Sequence, residues 1–233
     1  MTPKPLIHVK DRPLIWHIMK NYSLYGFNDF LILGGYKSQE IKKYFQDYWL
    51  IKSDFEIDLA TNTYKISNNI EEKWTVTILD TGVDTETGSR LLQAKNFINE
   101  TFMLTYGDGI SDVNILTLLN SHKLGHSPVT LTAVMPPARF GAVNLENGII
   151  TKFEEKPRGE GSLVNGGFFV CEASIFDLLW ELNCSFERDV LPQIASRSGI
   201  NPYIHTGFWQ PVDTVRDLNR LEEWFNTSQA PWL

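Results

Sequence analysis

The chain has 233 residues, of which 42% are hydrophobic and 12% aromatic, and its formal net charge at pH 7 is -7. This composition can build one substantial core and excludes disorder over most of the length. The acidic balance argues against a nucleic-acid partner, which selects clustered Lys and Arg. The composition does not exclude small anionic ligands, because a few local cations or a metal can hold a phosphate inside an acidic protein.

Cysteine usage and hydropathy bear on the cellular compartment. Cys171 and Cys184 are too few for a disulfide framework and lack metal spacing, which is typical of a reducing cytoplasm. No apolar run reaches the roughly 20 residues that span a bilayer, and the first residues show no signal-peptide pattern. We therefore expect a cytoplasmic protein without a membrane partner.

The first half of the chain alternates helices with strands. Apolar residues from Leu14 to Tyr25 recur with a helical period between Pro13 and Gly26, which predicts a helix. The uninterrupted apolar run Phe30 to Leu33 predicts a central parallel strand covered on both faces. The remaining predicted elements are a helix with Ile41, Tyr44, Phe45, Tyr48 and Trp49 on one face, a hairpin around Thr61-Asn62 laid over the fold, a strand from Trp74 to Leu79, a helix from Arg90 to Ile98 and a strand from Phe102 to Tyr106.

Beyond Val129 the pattern changes to strands and hairpins, and helices return near the end. Strands that alternate with helices imply an α/β sheet with right-handed crossovers. Without an internal repeat or a clear linker, residues 1–233 are predicted to form a single mixed α/β domain. The predicted elements of this half are strands at Val129 to Met135, Ala142 to Phe153 and Val164 to Val170, and helices at Ile175 to Leu182 and Val215 to Phe225.

Asp108 is the first candidate for catalysis. It lies within Tyr106-Gly107-Asp108-Gly109, which follows a predicted strand, and ligands of open α/β sheets bind beyond the carboxyl ends of strands. The flanking glycines let a ligand approach the backbone, and the carboxylate can hold Mg²⁺. An ordinary strand-end turn explains the same four residues.

Asp213 is the second candidate, because it follows the dense cluster Phe208-Trp209-Gln210-Pro211-Val212. Two carboxylates far apart in sequence can share one metal if the fold brings them together. The alternative is that Asp213 caps the helix that starts near Val215.

A third cluster offers mixed recognition of a sugar phosphate. The Glu155 carboxylate and the Asn165 amide can hydrogen-bond sugar hydroxyls, and Lys156 can pair with a phosphate, although each taken singly also fits a surface turn. Two other candidates are set aside. His122 and His126 lack a third ligand and are interpreted as solvated histidines near a helix end, and the glycines of Gly34-Gly35-Tyr36-Lys37 fit a strand-to-helix turn.

In this order the clusters resemble the glucose-1-phosphate cytidylyltransferase family. The resemblance runs from about Pro3 to Ala230-Pro231-Trp232. The Lys-Pro and Gly-Asp pairs belong to nucleotidyltransferases generally, whereas the Trp16 and Phe208 segments point to the cytidylyl branch. The motifs that carry it are Pro3-Lys4-Pro5, Leu14-Ile15-Trp16-His17-Ile18-Met19-Lys20, Gly35-Tyr36-Lys37, Asp80-Thr81-Gly82, Thr105-Tyr106-Gly107-Asp108-Gly109, Arg139-Phe140-Gly141-Ala142, Glu155-Lys156-Pro157, Asn165-Gly166-Gly167-Phe168-Phe169 and Gly207-Phe208-Trp209-Gln210-Pro211.

The resemblance implies a Rossmann-like mixed sheet of the nucleotidyltransferase (GT-A-like) type with added β-hairpins. Residues 1–128 would bind the nucleotide and residues 129–233 the sugar phosphate. It implies that a homo-oligomer makes CDP-glucose and pyrophosphate from CTP and α-D-glucose 1-phosphate with Mg²⁺, for the dideoxysugars of surface polysaccharide (O-antigen). By motif match, the catalytic residues would be Lys4 and Asp108, the metal ligands Asp108 and Asp213, the nucleotide contacts Thr85, Gly88, Arg90 and Gly107, and the sugar-phosphate contacts Glu155, Lys156, Asn165 and Gly166.

The resemblance departs at the amino terminus. Family members carry a first strand and a Gly-Gly-x-Gly-Thr-Arg loop before their Pro-Lys-Pro segment, whereas only Met1-Thr2 precedes Pro3 here. We therefore expect a sheet without its first strand. Because the missing loop cradles the triphosphate, we also expect little transferase activity from this chain. A late-called start codon or a trimmed chain is one interpretation. A non-catalytic paralogue that binds sugar phosphate, or assembles with a complete subunit, is the other.

Overall fold

The computed structural model of the chain describes residues 2–66, 72–136, 142–146, 149–154, 162–180, 183–227 and 230–233. In its first half the helices are α1 (Leu14–Leu24), α2 (Ser38–Gln46), α3 (Tyr48–Lys52), α4 (Thr87–Gln93) and α5 (Ile115–Leu124). The strands there are β1 (His8–Val9), β2 (Arg12–Pro13), β3 (Asp29–Gly34), β4 (Phe55–Asp58), β5 (Thr63–Ile66), β6 (Thr75–Asp80), β7 (Phe102–Leu104) and β8 (Gly109–Ser111).

The second half contains more strands than helices, as the sequence predicts. Its strands are β9 (Val129–Val134), β10 (Ala142–Glu146), β11 (Ile149–Glu154), β12 (Val164–Cys171), β13 (Asn201–His205) and β14 (Trp209–Pro211). Its helices are α6 (Leu191–Arg197) and α7 (Val215–Asn226). Short 3-10 turns at Lys4–Leu6, Lys95–Phe97 and Ala173–Leu178, and a π-helical turn at Phe186–Val190, complete the elements.

The largest sheet is mixed and has four strands in the order β13-β9-β12-β7. β13 runs parallel to β9, whereas β12 is antiparallel to both β9 and β7. β9 and β12 are almost entirely buried, because their alternating side chains face covered layers on both sides. The main core cluster lies on this sheet and includes Phe169, Ile175 and Phe186. The predicted mixed α/β class is confirmed.

The predicted strand at Phe30 to Leu33 is present as β3, but its position differs from the prediction. β3 pairs in parallel with β6, from Asp29 opposite Thr75 to Gly34 opposite Asp80. Within the described ranges these two strands form a sheet of their own, and most of β3 is only half-buried. The parallel pairing is confirmed and the central position is wrong, because an apolar run alone does not say how many neighbours a strand has.

The predicted hairpin around Thr61-Asn62 is confirmed as β4 and β5, but it is not laid over the fold. Phe55 faces Ile66 and Ile57 faces Tyr64, so all four apolar side chains share one face of the hairpin. All four are exposed, as is Trp49 of the preceding helix. Period-2 alternation therefore identified the strands correctly, and the apolar face has no cover within the described chain.

Two predicted helices are shifted or shortened. The helix predicted from Arg90 begins earlier, at Thr87, and ends in the 3-10 turn Lys95–Phe97. The one predicted from Ile175 is the 3-10 turn Ala173–Leu178, and residues 181–182 lie outside the described ones. The described residues form no helix long and apolar enough to cross a membrane.

His122 corrects another expectation, because it is buried rather than solvated. Its Nδ1 lies 2.8 Å from the Thr130 hydroxyl and its Nε2 lies 2.9 Å from Glu172 Oε1. The imidazole thereby ties α5 to β9 and to the end of β12. Both cysteines are also buried, and burial raises the pKa of the Cys171 thiol above its ordinary value.

Candidate active site

The strand pair β8 and β14 brings the two candidate carboxylates together although 105 positions in the chain separate Asp108 from Asp213. Gly109 faces Pro211 in this antiparallel pair, and the Val212 amide donates to the Asp108 carbonyl at 2.8 Å. Asp108 precedes one strand and Asp213 follows the other. The local pairing therefore places both side chains at the same end of the strand pair.

Lys4 lies between these carboxylates. Its Nζ is 3.1 Å from Asp108 Oδ2 and 2.9 Å from Asp213 Oδ1, so the two oxygens are no further apart than the sum of these distances. The hydrogen bond to Asp213 is the main cause that raises the pKa of the Lys4 ammonium above its ordinary value. The site thus already holds one cation between two oxygen donors.

The alternative assignment of Asp213 as a helix cap is wrong. The N-cap of α7 is Thr214, whose hydroxyl accepts from the Asp217 amide, while the Asp217 carboxylate accepts from the Thr214 amide. This capping box leaves the Asp213 side chain to the Lys4 contact. A threonine cap thus allows the preceding carboxylate to face Lys4.

Arg90, a predicted nucleotide contact, is engaged with the backbone of the loop after β6. Its Nη1 donates to the Thr81 hydroxyl at 2.6 Å and to the Gly82 carbonyl at 2.7 Å, and its Nη2 donates to the Val83 carbonyl at 3.0 Å. Burial lowers the pKa of the guanidinium from its ordinary value. A Cβ at Gly35 would collide with the guanidinium, so a larger residue there would displace Arg90 from this position. Arg90 clamps this loop, and its contact with a nucleotide stays a prediction.

Thr85 and Gly88, the other predicted contacts in this segment, have local structural partners. The Thr85 hydroxyl donates to the Thr81 carbonyl at 2.6 Å. A Cβ at Gly88 would lie 2.8 Å from the Cys184 carbonyl, so the close packing of α4 on that segment requires a glycine. Neither residue lines the cleft that is formed by Lys4, Asp108, Tyr106 and Arg90. Their predicted role toward the nucleotide stays untested.

Asn165 and Gly166 lie in an irregular part of β12. The pairing with β9 shifts its register between Asn165 and Phe169, so this stretch is a bulge. The Gly166 carbonyl accepts from the Trp209 indole at 2.8 Å, and Asn165 donates to the Tyr106 hydroxyl at 3.0 Å. Glu155 and Lys156 lie outside the described residues, so their predicted contacts with a sugar phosphate stay predictions.

One cleft of about 700 Å³ joins several of these groups. It combines cations, carboxylates and aromatic rings at the ends of β3 and β7. The lining residues are Lys4, Pro5, Leu33, Gly35, Tyr36, Arg90, Tyr106, Gly107, Asp108 and Glu187. Gly107 is required beside Pro5, because a Cβ there would lie 2.9 Å from the proline ring. Among the predicted site residues, Lys4, Arg90, Gly107 and Asp108 line this cleft, and Asp213 contacts it through Lys4.

Sequence reasoning missed Glu187 and gave Tyr106 no role of its own. Glu187 lies in the turn Phe186–Val190, far from every quoted motif, and only the fold brings it to the cleft. Tyr106 stands beside the Gly107-Asp108 motif, which was the one available signal.

The arrangement suits phosphoryl chemistry. A lysine, an arginine and two carboxylates at strand ends can bind and polarise phosphate groups, and they supply no covalent nucleophile. A nucleotidyl transferase family model matches residues 1–224. The chain belongs to the nucleotidyl transferase family.

Named relatives place this nucleotidyltransferase among the enzymes that act on sugar phosphates. It is 40% identical to a glucose-1-phosphate cytidylyltransferase of Salmonella typhi over 100% of this chain and 91% of that one. It is 39% identical to a probable glucose-1-phosphate cytidylyltransferase of Bacillus subtilis over 99% of this chain and 91% of that one. The predicted family is confirmed, and the protein is a sugar nucleotidyltransferase.

Solved structures confirm the fold of the nucleotidyltransferase. HddC from Yersinia pseudotuberculosis complexed with GMP-PN aligns with a TM-score of 0.67 at 18% identity, over 96% of this chain and 90% of that one. A UDP-glucose pyrophosphorylase complexed with UDP-glucose aligns with a TM-score of 0.66 at 19% identity, over 98% and 92%. The arrangement of helices and strands is therefore that of a nucleotidyltransferase.

Proposed function

We propose that this nucleotidyltransferase transfers a cytidylyl group from CTP to α-D-glucose 1-phosphate. A phosphate oxygen of the sugar phosphate attacks the α-phosphorus of CTP, and the bond between that phosphorus and the bridging oxygen to the β-phosphate breaks. The products are CDP-glucose and pyrophosphate. The observation that carries the proposal is the convergence of Lys4, Asp108 and Asp213 at a cleft, in a chain that resembles cytidylyltransferases over its full length.

The same carboxylates fit a divalent metal. Mg²⁺ prefers oxygen donors and is usually held by one or two carboxylates together with substrate phosphates. Asp108 and Asp213 provide such a pair, and the Lys4 ammonium between them supports a preference for positive charge at this position. The described residues contain no group of three or more His, Cys, Asp or Glu side chains that could enclose a metal. We propose Mg²⁺ for this site, where it would offset phosphate charge when bound.

Lys4 and Arg90 supply the fixed positive charge of the cleft. Charge builds on the phosphate oxygens as the α-phosphorus is transferred, and cations placed beforehand stabilise it without reorganisation. The Lys4 ammonium is charged at neutral pH even at its ordinary pKa, and the hydrogen bonds to two carboxylates raise that pKa further. Its role in the proposal is to orient and neutralise phosphate oxygens.

The use of this product for the dideoxysugars of surface polysaccharide remains a prediction from the resemblance. The homo-oligomer and the cytoplasmic location also remain predictions. The alternative, a non-catalytic protein that binds sugar phosphate, predicts binding of glucose 1-phosphate without release of pyrophosphate.

The proposal is tested by pyrophosphate release with CTP, glucose 1-phosphate and Mg²⁺. At whatever rate this chain supports, pyrophosphate release should require all three components and should be faster with CTP than with UTP or dTTP. Asp108→Asn and Asp213→Asn should each lower kcat by about a hundredfold or more, since each removes an oxygen charge from the cation site.

The matched control is Asp177→Asn, which removes an exposed carboxylate outside the cleft lining and should leave kcat unchanged. Equal or faster turnover with UTP or dTTP would assign the enzyme to another nucleotide. Full activity of both cleft variants would refute the site.

A further inference from the structure

Four side chains form a continuous hydrogen-bonded line, and the two in its middle, Tyr106 and Glu187, line the cleft. Asn165 Nδ2 lies 3.0 Å from Tyr106 Oη, which lies 2.7 Å from Glu187 Oε1. The other oxygen of Glu187 lies 2.6 Å from the Thr87 hydroxyl. The line therefore connects the bulge of β12, the end of β7, the turn Phe186–Val190 and the start of α4.

The direction of each bond follows from the carboxylate. An ionised glutamate only accepts hydrogen bonds, so Tyr106 and Thr87 both donate to Glu187. Ser185 adds a third donor to the same carboxylate at 3.2 Å. Burial raises the pKa of the Tyr106 phenol, so Tyr106 remains a neutral donor. The only hydrogen of its hydroxyl is committed to Glu187.

This commitment fixes the amide of Asn165. Because the Tyr106 oxygen can then only accept, the group of Asn165 that faces it must be the NH₂. The Asn165 carbonyl oxygen meanwhile accepts from the Gly167 amide at 2.9 Å. A flipped amide would place the Asn165 oxygen against the Tyr106 oxygen and the Asn165 NH₂ against the Gly167 N–H. One orientation is therefore selected.

The backbone beneath Asn165 is held separately from this line. Gly167 has a φ of +74° and a Cβ there would lie 3.0 Å from the Tyr106 ring, so a larger residue would be strained at this position. Phe168 has a φ of +47° and is buried, and its carbonyl accepts from the Thr132 hydroxyl at 2.7 Å. Loss of the Tyr106 hydroxyl should therefore release the NH₂ end of the Asn165 amide, which is then held only through its oxygen by the Gly167 amide, without moving the bulge.

We propose that Tyr106 and Glu187 are positioning residues that set the Asn165 amide as a hydrogen-bond donor for an oxygen of the sugar phosphate. The second hydrogen of Asn165 Nδ2 has no acceptor among the described residues, and Asn165 is exposed beside the cleft. A site that offers a donor selects a ligand oxygen at that point and disfavours an analogue without one. This inference rests on the proposed use of a sugar phosphate.

The test is a double-mutant cycle on glucose 1-phosphate binding, measured by titration calorimetry without CTP. Asn165→Ala should weaken binding by about tenfold, since it removes about one hydrogen bond to the ligand. Tyr106→Phe should weaken binding by about the same factor, because the amide that makes this bond is no longer held in place. The double variant should be no more than about twofold weaker than Asn165→Ala alone, because Tyr106 acts through Asn165. The KM for CTP should change by less than about twofold in Tyr106→Phe.

Tyr64→Phe, on the exposed face of β5, is the matched control and should bind glucose 1-phosphate like the unmodified protein. Additive losses in the double variant, or unchanged binding in Tyr106→Phe, would overturn the positioning role while leaving the proposed reaction intact. If the cycle showed the expected coupling between Tyr106 and Asn165 but no pyrophosphate were released, the reaction would be refuted and the positioning role would stand. A protein that binds no glucose 1-phosphate would refute both.

Discussion

His17 shows how a single buried side chain is fixed by its neighbours. The Trp232 indole N–H, 3.2 Å from His17 Nδ1, can only donate, so Nδ1 accepts and the ring carries its hydrogen on Nε2, 3.4 Å from the Val9 carbonyl. Protonation would place a second N–H against the indole N–H. Burial is the main cause that lowers the pKa of His17 from 6.5 to about 4.

This depressed pKa predicts acid sensitivity. Below pH 6.5, His17 binds a proton in the unfolded chain but not in the folded chain. The contribution of neutral His17 to the unfolding free energy is therefore fully present above pH 6.5 and is lost as the pH falls toward 4. Between pH 7 and pH 5 the loss should be about 2 kcal/mol of unfolding free energy. His17→Gln, which does not titrate, should show a shallower pH dependence in urea unfolding, and equal slopes for both proteins would contradict the assignment.

Lys4 and Asp213 illustrate what residues alone predict about a site. The motif match named both, and the structure brings them within 2.9 Å. Glu187 escaped prediction because its link to Tyr106 spans 81 positions and depends on how the turn Phe186–Val190 packs. Contacts of this kind follow from tertiary packing, which neither spacing nor composition encodes.

At the level of elements, α7 depends on its first turn. The capping box of Thr214 and Asp217 satisfies amides that the helix cannot satisfy itself, and it sits directly beside the cleft residue Asp213. Leu221 of this helix is fully buried in the cluster with Trp232. The helix therefore links the end of β14 beside Asp213 to a separate part of the core.

Removal of that cap should cost about 1 kcal/mol of stability. We expect Thr214→Ala to lower the unfolding free energy by this amount in urea melts at pH 7, while Thr214→Ser, which keeps the hydroxyl, loses little. If the two variants were equally destabilised, the methyl packing of Thr214 would matter more than its hydrogen bond.

The elements themselves were largely predictable, for local reasons. Period-2 alternation located β4 and β5, and helical periodicity located α1 and α7 within one or two residues. The helix predicted from Ile175 is a 3-10 turn, since apolar periodicity does not distinguish the two over six residues. The burial of His122 also escaped prediction, because its partner Glu172 lies 50 positions away, just after the end of β12.

At the scale of the whole molecule, the sequence predicts the mixed fold but not how its strands are grouped. The strands of the two groups differ in burial, because β9 of the four-stranded sheet is almost entirely buried whereas β3 of the β3–β6 pair is mostly half-buried. The cleft lies where they meet, with Leu33 and Gly35 on one side and Tyr106 and Gly107 on the other. The two groups of strands thus build one site from separate hydrogen-bonded units.

This grouping has a consequence for amide hydrogen exchange. Local opening needs less free energy where fewer apolar contacts hold a strand, so amides of β3 and β6 should exchange at least about tenfold faster than those of β9 and β12. Deuterium uptake by peptides that cover residues 29–34, 75–80, 129–134 and 164–171 measures the difference, and uniform protection would contradict it. A ligand that touches both sides of the cleft should then slow exchange along β3 and β6, even at amides that it does not contact.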